Sequence, residues 1–422
     1  MNLAAVSLGA LVVVIVVSCF SPINMGVLSI ALAFLIGRFL GGLPVSAIVA
    51  GFPANLFLTL AGITLLFAQA RVNGTLDKVA GRSIRLARGN RGLIPIVFFF
   101  LGLGLATIGA GNIAATALLA PVAMSVASRA GIGGFLMALM LANGANAGGM
   151  SPLAPTGIIA RELMGRVGLV GVEWANYFNT LAAQSFVAFA GYFLLGGARL
   201  LRRDAEGGPP PVPPETVALE DQPFTPHQWL TLGVIATLVL SAALFRVDVG
   251  MGAFVGVVVL SLAHAAEEEA AVRCMPWGVI LMVCGVTILV EVLAKTGGME
   301  LFTRLLARLS GPTLVTGVIA LVTGIISVYS SSSGVVLPAF LPAIPGLIAN
   351  LGGGSPLMIA YSINVGAHLV DVSPLSTLGA LCLAAAPPEE DRRALFRKLM
   401  AWGWSMALVG AIVCQIFFGY RQ

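Results

Sequence analysis

The sequence predicts an all-α polytopic membrane protein: two inverted repeats of five transmembrane spans, each carrying a re-entrant helical hairpin and one broken helix. Three observations predict it. Hydrophobic residues fill 58% of the 422 positions and charged residues 10%; that is more apolar surface than a water-soluble chain of this length buries, so the solvent is lipid. The chain matches itself when displaced by 221 to 224 residues. Its basic residues fall mainly on one side of the bilayer once the spans are threaded.

The self-match runs through specific positions. Pro53 falls on Pro276, Gly62 on Gly285, Thr64 on Thr287 and Gly74 on Gly297; Asn143 falls on Asn364, Ser151-Pro152-Leu153 on Ser373-Pro374-Leu375, and Gly157 on Gly379. A duplication this long marks a repeated supersecondary unit.

The first repeat occupies residues 1–200. Scaffold spans cover 1–70. A surface helix covers 71–91, where Val79, Ile84 and Leu86 recur at helical spacing among the arginines from Arg71 to Arg91. A hairpin covers 93–127, a broken span 135–160 and a last span 175–200. Residues 201–227, rich in Pro, Glu and Asp, cannot continue a lipid-facing helix and form a cytoplasmic linker. The second repeat, 228–422, follows the same plan, with scaffold spans over 228–293, a hairpin over 314–348, a broken span over 356–382 and a last span over 400–418.

If each hairpin enters and leaves on one side, each half crosses five times, and the odd count inverts the second half. Placing the N-terminus outside puts Arg71, Lys78, Arg82, Arg85, Arg88, Arg91, Arg129, Arg199, Arg202, Arg203, Arg273, Arg392, Arg393, Arg397 and Lys398 in the cytoplasm. That is the majority of the 23 basic residues. A bacterial inner-membrane location is expected. The net charge of +5 is explained by topology, and no nucleic-acid partner is expected.

Enzyme chemistry finds no support. The histidines are His227, His264 and His368, and no H-E-x-x-H motif or nucleophile elbow occurs. Cys19, Cys274, Cys284, Cys382 and Cys414 lie singly, without CxxC pairing, and read as small core residues. Residues 109–114 fit G-x-G-x-x-A but follow an apolar helix rather than a strand, so no dinucleotide is expected. No Lys or Arg precedes Val17-Ser18-Cys19, so no signal peptide is expected.

Irregular backbone at membrane depth survives only where it faces protein or a wet cavity. Four such places stand out: the hairpin tips at Gly109-Ala110-Gly111-Asn112-Ile113 and Ser330-Ser331-Ser332-Ser333-Gly334, and the broken spans from Asn143 to Pro152 and from Asn364 to Pro374. A helix beginning at mid-membrane directs free N–H groups and its positive dipole end into the cavity, where they attract a carboxylate; broken spans with free carbonyls and hydroxyls ligate Na⁺. No Lys or Arg lies in these four segments, so a dianion would be held by dipoles, hydroxyls, amides and co-bound cations. Small residues in single spans often serve only close packing; four symmetric clusters favour a site. Asp371 and His368 are the sharpest ionisable pair, with a cation or proton role set against a capping role for Asp371 near Ser373. Glu291 is expected at the interface.

These residues resemble the ion transporter superfamily. Over about the first 160 positions the chain resembles MatC-type malonate and dicarboxylate carriers, and it is more distantly similar to the divalent anion:sodium symporters. In those symporters each tip carries Ser-Asn-Thr followed by small residues and a proline. Here Gly111-Asn112-Ile113 runs on to Pro121 and Ser332-Ser333-Gly334 to Pro342, with Asn112 and Ser332 keeping the signature residue. The resemblance implies an elevator-type homodimer importing a small dicarboxylate, malonate or a four-carbon acid, with Na⁺ as coupling ion and no other cofactor. A proton-coupled carboxylate carrier and a cation:proton antiporter are the alternatives. It implies substrate contacts at Asn112, Ile113, Ser151, Pro152 and Thr156 in one half, and at Ser332, Ser333, Gly334, Ser373, Pro374 and Thr377 in the other. One sodium site would comprise Gly111, Asn112, Asn143, Asn146 and Gly149; a second would comprise Ser331, Ser332, Asn364, Ala367 and Asp371.

Overall fold

A computed structural model describes residues 2–21, 23–84, 90–203, 223–245 and 247–419. No strand occurs among the described residues. A helix satisfies its own backbone within one segment, which is what a lipid environment demands.

The first half runs α1 (Leu3–Phe20), α2 (Met25–Phe34), α3 (Val45–Val49), α4 (Ala54–Val72) and α5 (Thr75–Ile84). Asn2 and Asn24 cap α1 and α2, accepting the N–H of Ala4 and Gly26. Next come α6 (Leu93–Leu105) and α7 (Gly111–Arg129), divided by a π-helical turn over Ala106–Ala110. Gly109 at φ 124° and Gly111 at φ 79° let the chain reverse there, in conformations that side-chain-bearing residues avoid. The half closes with α8 (Gly134–Gly149), α9 (Pro155–Arg166), α10 (Glu173–Leu194) and α11 (Gly197–Arg203).

The second half runs α12 (Pro226–Phe245), α13 (Val249–Leu262), α14 (Glu268–Cys274), α15 (Trp277–Lys295), α16 (Gly298–Arg308) and α17 (Val315–Tyr329). A π-turn at Ser332–Val336 leads into α18 (Leu337–Phe340) and α19 (Ile344–Leu351), followed by α20 (Pro356–Leu369), α21 (Thr377–Ala384) and α22 (Arg392–Phe418). Among the described residues, Ala54–Val72, Leu93–Arg129 with its interruption at Gly109, Trp277–Lys295, Ser332–Leu351 and Arg392–Phe418 are long and apolar enough to cross a membrane. Leu408, Ile412 and Ile416 lie one turn apart on α22 and are exposed, the pattern of a lipid-facing stripe. The chain is a multi-pass membrane protein.

Several boundaries differ from the sequence expectation. Of the surface helix expected over 71–91, Arg71 forms the last turn of α4, α5 covers Thr75–Ile84, and Arg85 and Arg88 lie outside the described residues. So do Arg246, Arg421 and most of the linker, residues 204–222. α5 is docked on the second half: Lys78 Nζ donates to Pro223 O at 2.7 Å and Gln228 Oε1 at 3.3 Å. The broken spans break later than expected. α8 stays helical through Asn143 and Asn146 to Gly149, and α20 stays helical through Asn364 to Leu369. The asparagine side chains find partners without disturbing the helix; it ends where Pro152 and Pro155 in one half, and Pro374 in the other, deny an N–H to the ladder. Glu291 sits half-exposed at the end of α15 and pairs with Lys295 at 3.3 Å.

The halves are held together by close backbone crossings. α4 packs on α13 and α15 on α2. A Cβ built on Gly62 would sit 2.5 Å from Gly250 O, and one on Gly285 would sit 2.2 Å from Gly26 O. No side chain fits at either crossing. Gly285→Ala should therefore destabilise the protein by about 1–3 kcal/mol through overpacking, read as a lower thermal unfolding midpoint in detergent. Gly104→Ala, where a Cβ meets nothing within 4 Å, should leave the midpoint unchanged or raise it.

Candidate functional site

Both hairpin tips and the second break meet at one point. A small cavity of about 10 Å³ is lined by Asn112 and Ile113 of the first tip, Ser331, Ser332 and Ser333 of the second, and Asp371, Ser376, Thr377 and Leu378. That is room for about one water or one bare cation.

Asp371 organises this point. It lies in the turn after α20 and is 4% exposed. One carboxylate oxygen accepts from the Ser332 hydroxyl and from Ser376 Oγ at 3.1 Å, and the other from Asn146 Nδ2 at 3.2 Å. Ser376 stands at the N-cap position of α21 but sends its hydroxyl to Asp371 instead of the helix N–H groups. Three donors from the second tip, the second break and α8 thus replace the water the carboxylate has lost, and among the described residues no Lys or Arg pairs with it. Ser332 is itself held by Ser327 Oγ at 2.7 Å and lies 3.2 Å from Ala367 O.

The network continues into the first half. Asn146 Nδ2 also donates to His368 O at 2.8 Å, while its Oδ1 accepts from Asn112 Nδ2 at 2.7 Å. Asn112 Oδ1 accepts from the Ile113 N–H at 3.0 Å and the Thr156 hydroxyl at 3.3 Å. Of the residues named from sequence, the structure therefore joins Asn112, Asn146, Thr156, Ser332 and Asp371 in one chain of hydrogen bonds. Gly149 makes room, since a Cβ there would lie 3.2 Å from the Asn112 side chain; one on Gly111 would meet Pro155 at 2.9 Å.

Other named residues have different partners. Ser151 Oγ donates to Thr107 O and Ser373 Oγ to Val328 O, each at 2.8 Å, and both serines are fully buried. They pin each break to the end of its hairpin's first arm. Gly334 N–H donates to Ser331 Oγ at 3.1 Å. Pro152 and Pro374 line none of the three cavities described here. Asn143 Nδ2 is spent on Leu139 O, one turn back on its own helix.

Sequence reasoning missed the face of α10. Asn176, Thr180 and Gln184 recur every four residues and are buried, on a helix packed against α8 and α20; that spacing was the available signal. Gln184 Nε2 donates to His368 O at 2.9 Å, and Asn364 Nδ2 donates to Asn176 Oδ1 at 2.8 Å. Around this seam, Asn143 Oδ1, Thr180 Oγ1, Gln184 Oε1, Asn364 Oδ1 and His368 Nε2 are buried without a hydrogen-bond partner. His368 Nδ1 lies 2.8 Å from Asn364 O. A carbonyl only accepts, so Nδ1 carries the hydrogen in this contact.

Two larger cavities lead to the tips. The first, of about 180 Å³, is lined by residues 110–114 of the first tip, Thr156 and Ser333, and by Arg71 and Cys274 at the ends of α4 and α14. The second, of about 330 Å³, is lined by Ser330 and Ser331 of the second tip, Thr377, Asn24 and Met282. Pro276 and Val279 line both.

Residues 1–149 match the family model for the dicarboxylate carrier protein MatC N-terminus. The uncharacterized transporter Rv2685 of Mycobacterium tuberculosis is 25% identical over 318 residues, spanning 70% of this chain and 71% of the relative. Among solved structures, MtrF of Neisseria gonorrhoeae, described within a class of antimetabolite efflux pumps, superposes with a TM-score of 0.60 at 14% identity, over 99% of this chain and 95% of that one. The YdaH transporter of Alcanivorax borkumensis gives 0.56 at 15% identity, over 91% and 89%. The chain shares its fold with these proteins.

The network predicts unequal roles for two asparagines one turn apart. Asn146→Ala strips donors from Asp371 and His368 O and should lower stability by about 1–3 kcal/mol. Asn143→Ala removes an acceptor that already lacks a partner and should cost less, as compared by urea or thermal unfolding in detergent.

Proposed function

We propose that the protein is a secondary active transporter that imports a small dicarboxylate, malonate or a four-carbon acid, by sodium symport. The observation that carries the reading is the convergence of both tips and the second break on the small cavity at Asp371, which shares Asn112, Ile113 and Ser333 with the first larger cavity and Ser331 and Thr377 with the second. The match of residues 1–149 to a dicarboxylate carrier model supports the substrate class. The N-terminus of α7 has no side-chain cap from Ala110, and Asn112 and Ile113 of its first turn line the first cavity. Apart from the Ile113 N–H, which Asn112 Oδ1 takes, its N–H groups and dipole suit one carboxylate of the substrate, with Thr156, Ser333 and Thr377 nearby. The Asp371 carboxylate, the Ser332 and Ser376 hydroxyls and the Ala367 carbonyl form an all-oxygen set suited to Na⁺, and the cation offsets the charge of the dianion. Asn112, Asn146 and Gly149 supply the corresponding elements in the first half.

The architecture of this reading is two inverted repeats, with the N-terminus outside in a bacterial inner membrane. The sequence self-match and the paired glycine crossings of α4 on α13 and α2 on α15 support it. Family resemblance adds an elevator movement of tips and broken spans, and a homodimer. A second reading, cation:proton exchange, is favoured by one observation: the unpartnered Nε2 of buried His368, one helical turn from Asp371.

Uptake of labelled malonate or succinate into proteoliposomes, with sodium and pH gradients imposed separately, tests the first reading. Sodium-driven accumulation is expected, and no uptake under any gradient sinks it. Asp371→Asn separates the two: the sodium concentration for half-maximal uptake should rise about tenfold or more, which corresponds to about 1.4 kcal/mol. In an exchanger the same change would abolish proton movement, with no anion dependence.

A further inference from the structure

Among the described residues, Arg71 contributes the single charged side chain lining the first cavity, whose wall runs from the 110–114 tip to the end of α4. We propose that Arg71 is a carboxylate-binding, specificity-determining residue that takes the second carboxylate of a dianion whose first is held at the tip. The proposal rests on the transporter reading above and extends it to a residue outside the tips and breaks.

The geometry favours reach toward the tip. Phe67 packs against the first tip, since a Cβ on Gly109 would lie 2.5 Å from its ring. Arg71 follows one helical turn later, about 6 Å along α4, and helical side chains lean back toward the N-terminus of their helix. A rotamer that follows this lean carries the guanidinium along the cavity wall toward Phe67 and the tip. The volume of about 180 Å³ far exceeds the roughly 10–15 Å³ that one water needs and is enough for a short dicarboxylate.

Charge gives the same answer. Every other described residue lining this cavity is uncharged, so without Arg71 these residues would offer the second carboxylate no cation in exchange for its lost water. A guanidinium binds carboxylate through two parallel N–H···O bonds. Its place at an exposed mouth keeps it hydrated when the cavity is empty, so no buried counter-ion is required; the nearby Asp77 of α5 shares its field. A helix C-terminus and the cytoplasmic side of a span both favour a basic residue, but those roles make no distinction between substrates.

Two measurements decide it. In proteoliposomes, Arg71→Gln should raise KM for malonate about tenfold or more with kcat little changed, Arg71→Lys should fall between, and uptake of malonate monomethyl ester should be the same in all three. In purified protein, Cys274, exposed on the wall of the same cavity, serves as a reporter in a Cys19→Ser background. Malonate should slow its alkylation by a charged maleimide, and Arg71→Gln should remove that protection. An unchanged malonate KM, or protection that persists without Arg71, overturns the proposal. If the wild-type protein fails to take up any dicarboxylate, the transporter reading falls. The alkylation result then stands alone: Arg71-dependent protection sustains the anion subsite and absence of protection overturns it.

Discussion

A carboxylate buried in a membrane protein with no Lys or Arg partner among the described residues has to be solvated by the fold, and the arrangement of this chain follows from how Asp371 is solvated. Its three donors come from a hairpin tip, a broken span and a helix of the other half. None can shift alone. Moving the second tip takes Ser332 from the carboxylate, and moving α8 takes Asn146, which also holds His368 O and Asn112. An unmet carboxylate in such surroundings is far more costly than a lost neutral hydrogen bond, so the second tip, the second break and α8 are tied together as a unit through this carboxylate.

That unit is fastened by repeated small devices. Ser151 and Ser373 join each break to the hairpin before it through equivalent hydroxyl-to-carbonyl bonds. Gly157 and Gly379 lie so close to the Ser151 and Ser373 carbonyls, 2.0 and 2.1 Å from a Cβ placed there, that no side chain is tolerated. Helices α2 and α15, and α4 and α13, meet across the two halves at Gly26, Gly285, Gly62 and Gly250, where backbone touches backbone. In lipid, close approach of this kind supplies the helix-helix attraction that hydrophobic burial supplies in water.

Much of this was legible in the sequence, and the rest was hidden for identifiable reasons. Composition alone requires helices, and clustered Gly, Ser and Asn beside proline pointed to Asn112, Ser332 and Asp371, because irregular backbone in lipid is rare enough to be informative. The start of each break was misplaced because Asn143 and Asn364 look like helix interrupters, whereas their amides are absorbed by Leu139 O and by Asn176. Asn176, Thr180 and Gln184 escaped notice because they sit in an unbroken span, and only the packing of α10 on α8 and α20 shows that their common face is buried. Arg71 read as part of a membrane-surface helix; it belongs to the cavity because α4 packs against the first tip through Phe67, a contact no linear pattern records.

The central claim, that the Asp371 junction and the tips above it form the binding centre, is tested most directly by determining the structure in lipid nanodiscs with malonate and sodium. The account predicts anion density between the α7 N-terminus, Thr156 and Ser333, and a cation within coordinating distance of the Asp371 carboxylate. Malonate density elsewhere in the molecule, with the tips empty and the Asp371 hydrogen bonds unchanged, would contradict it.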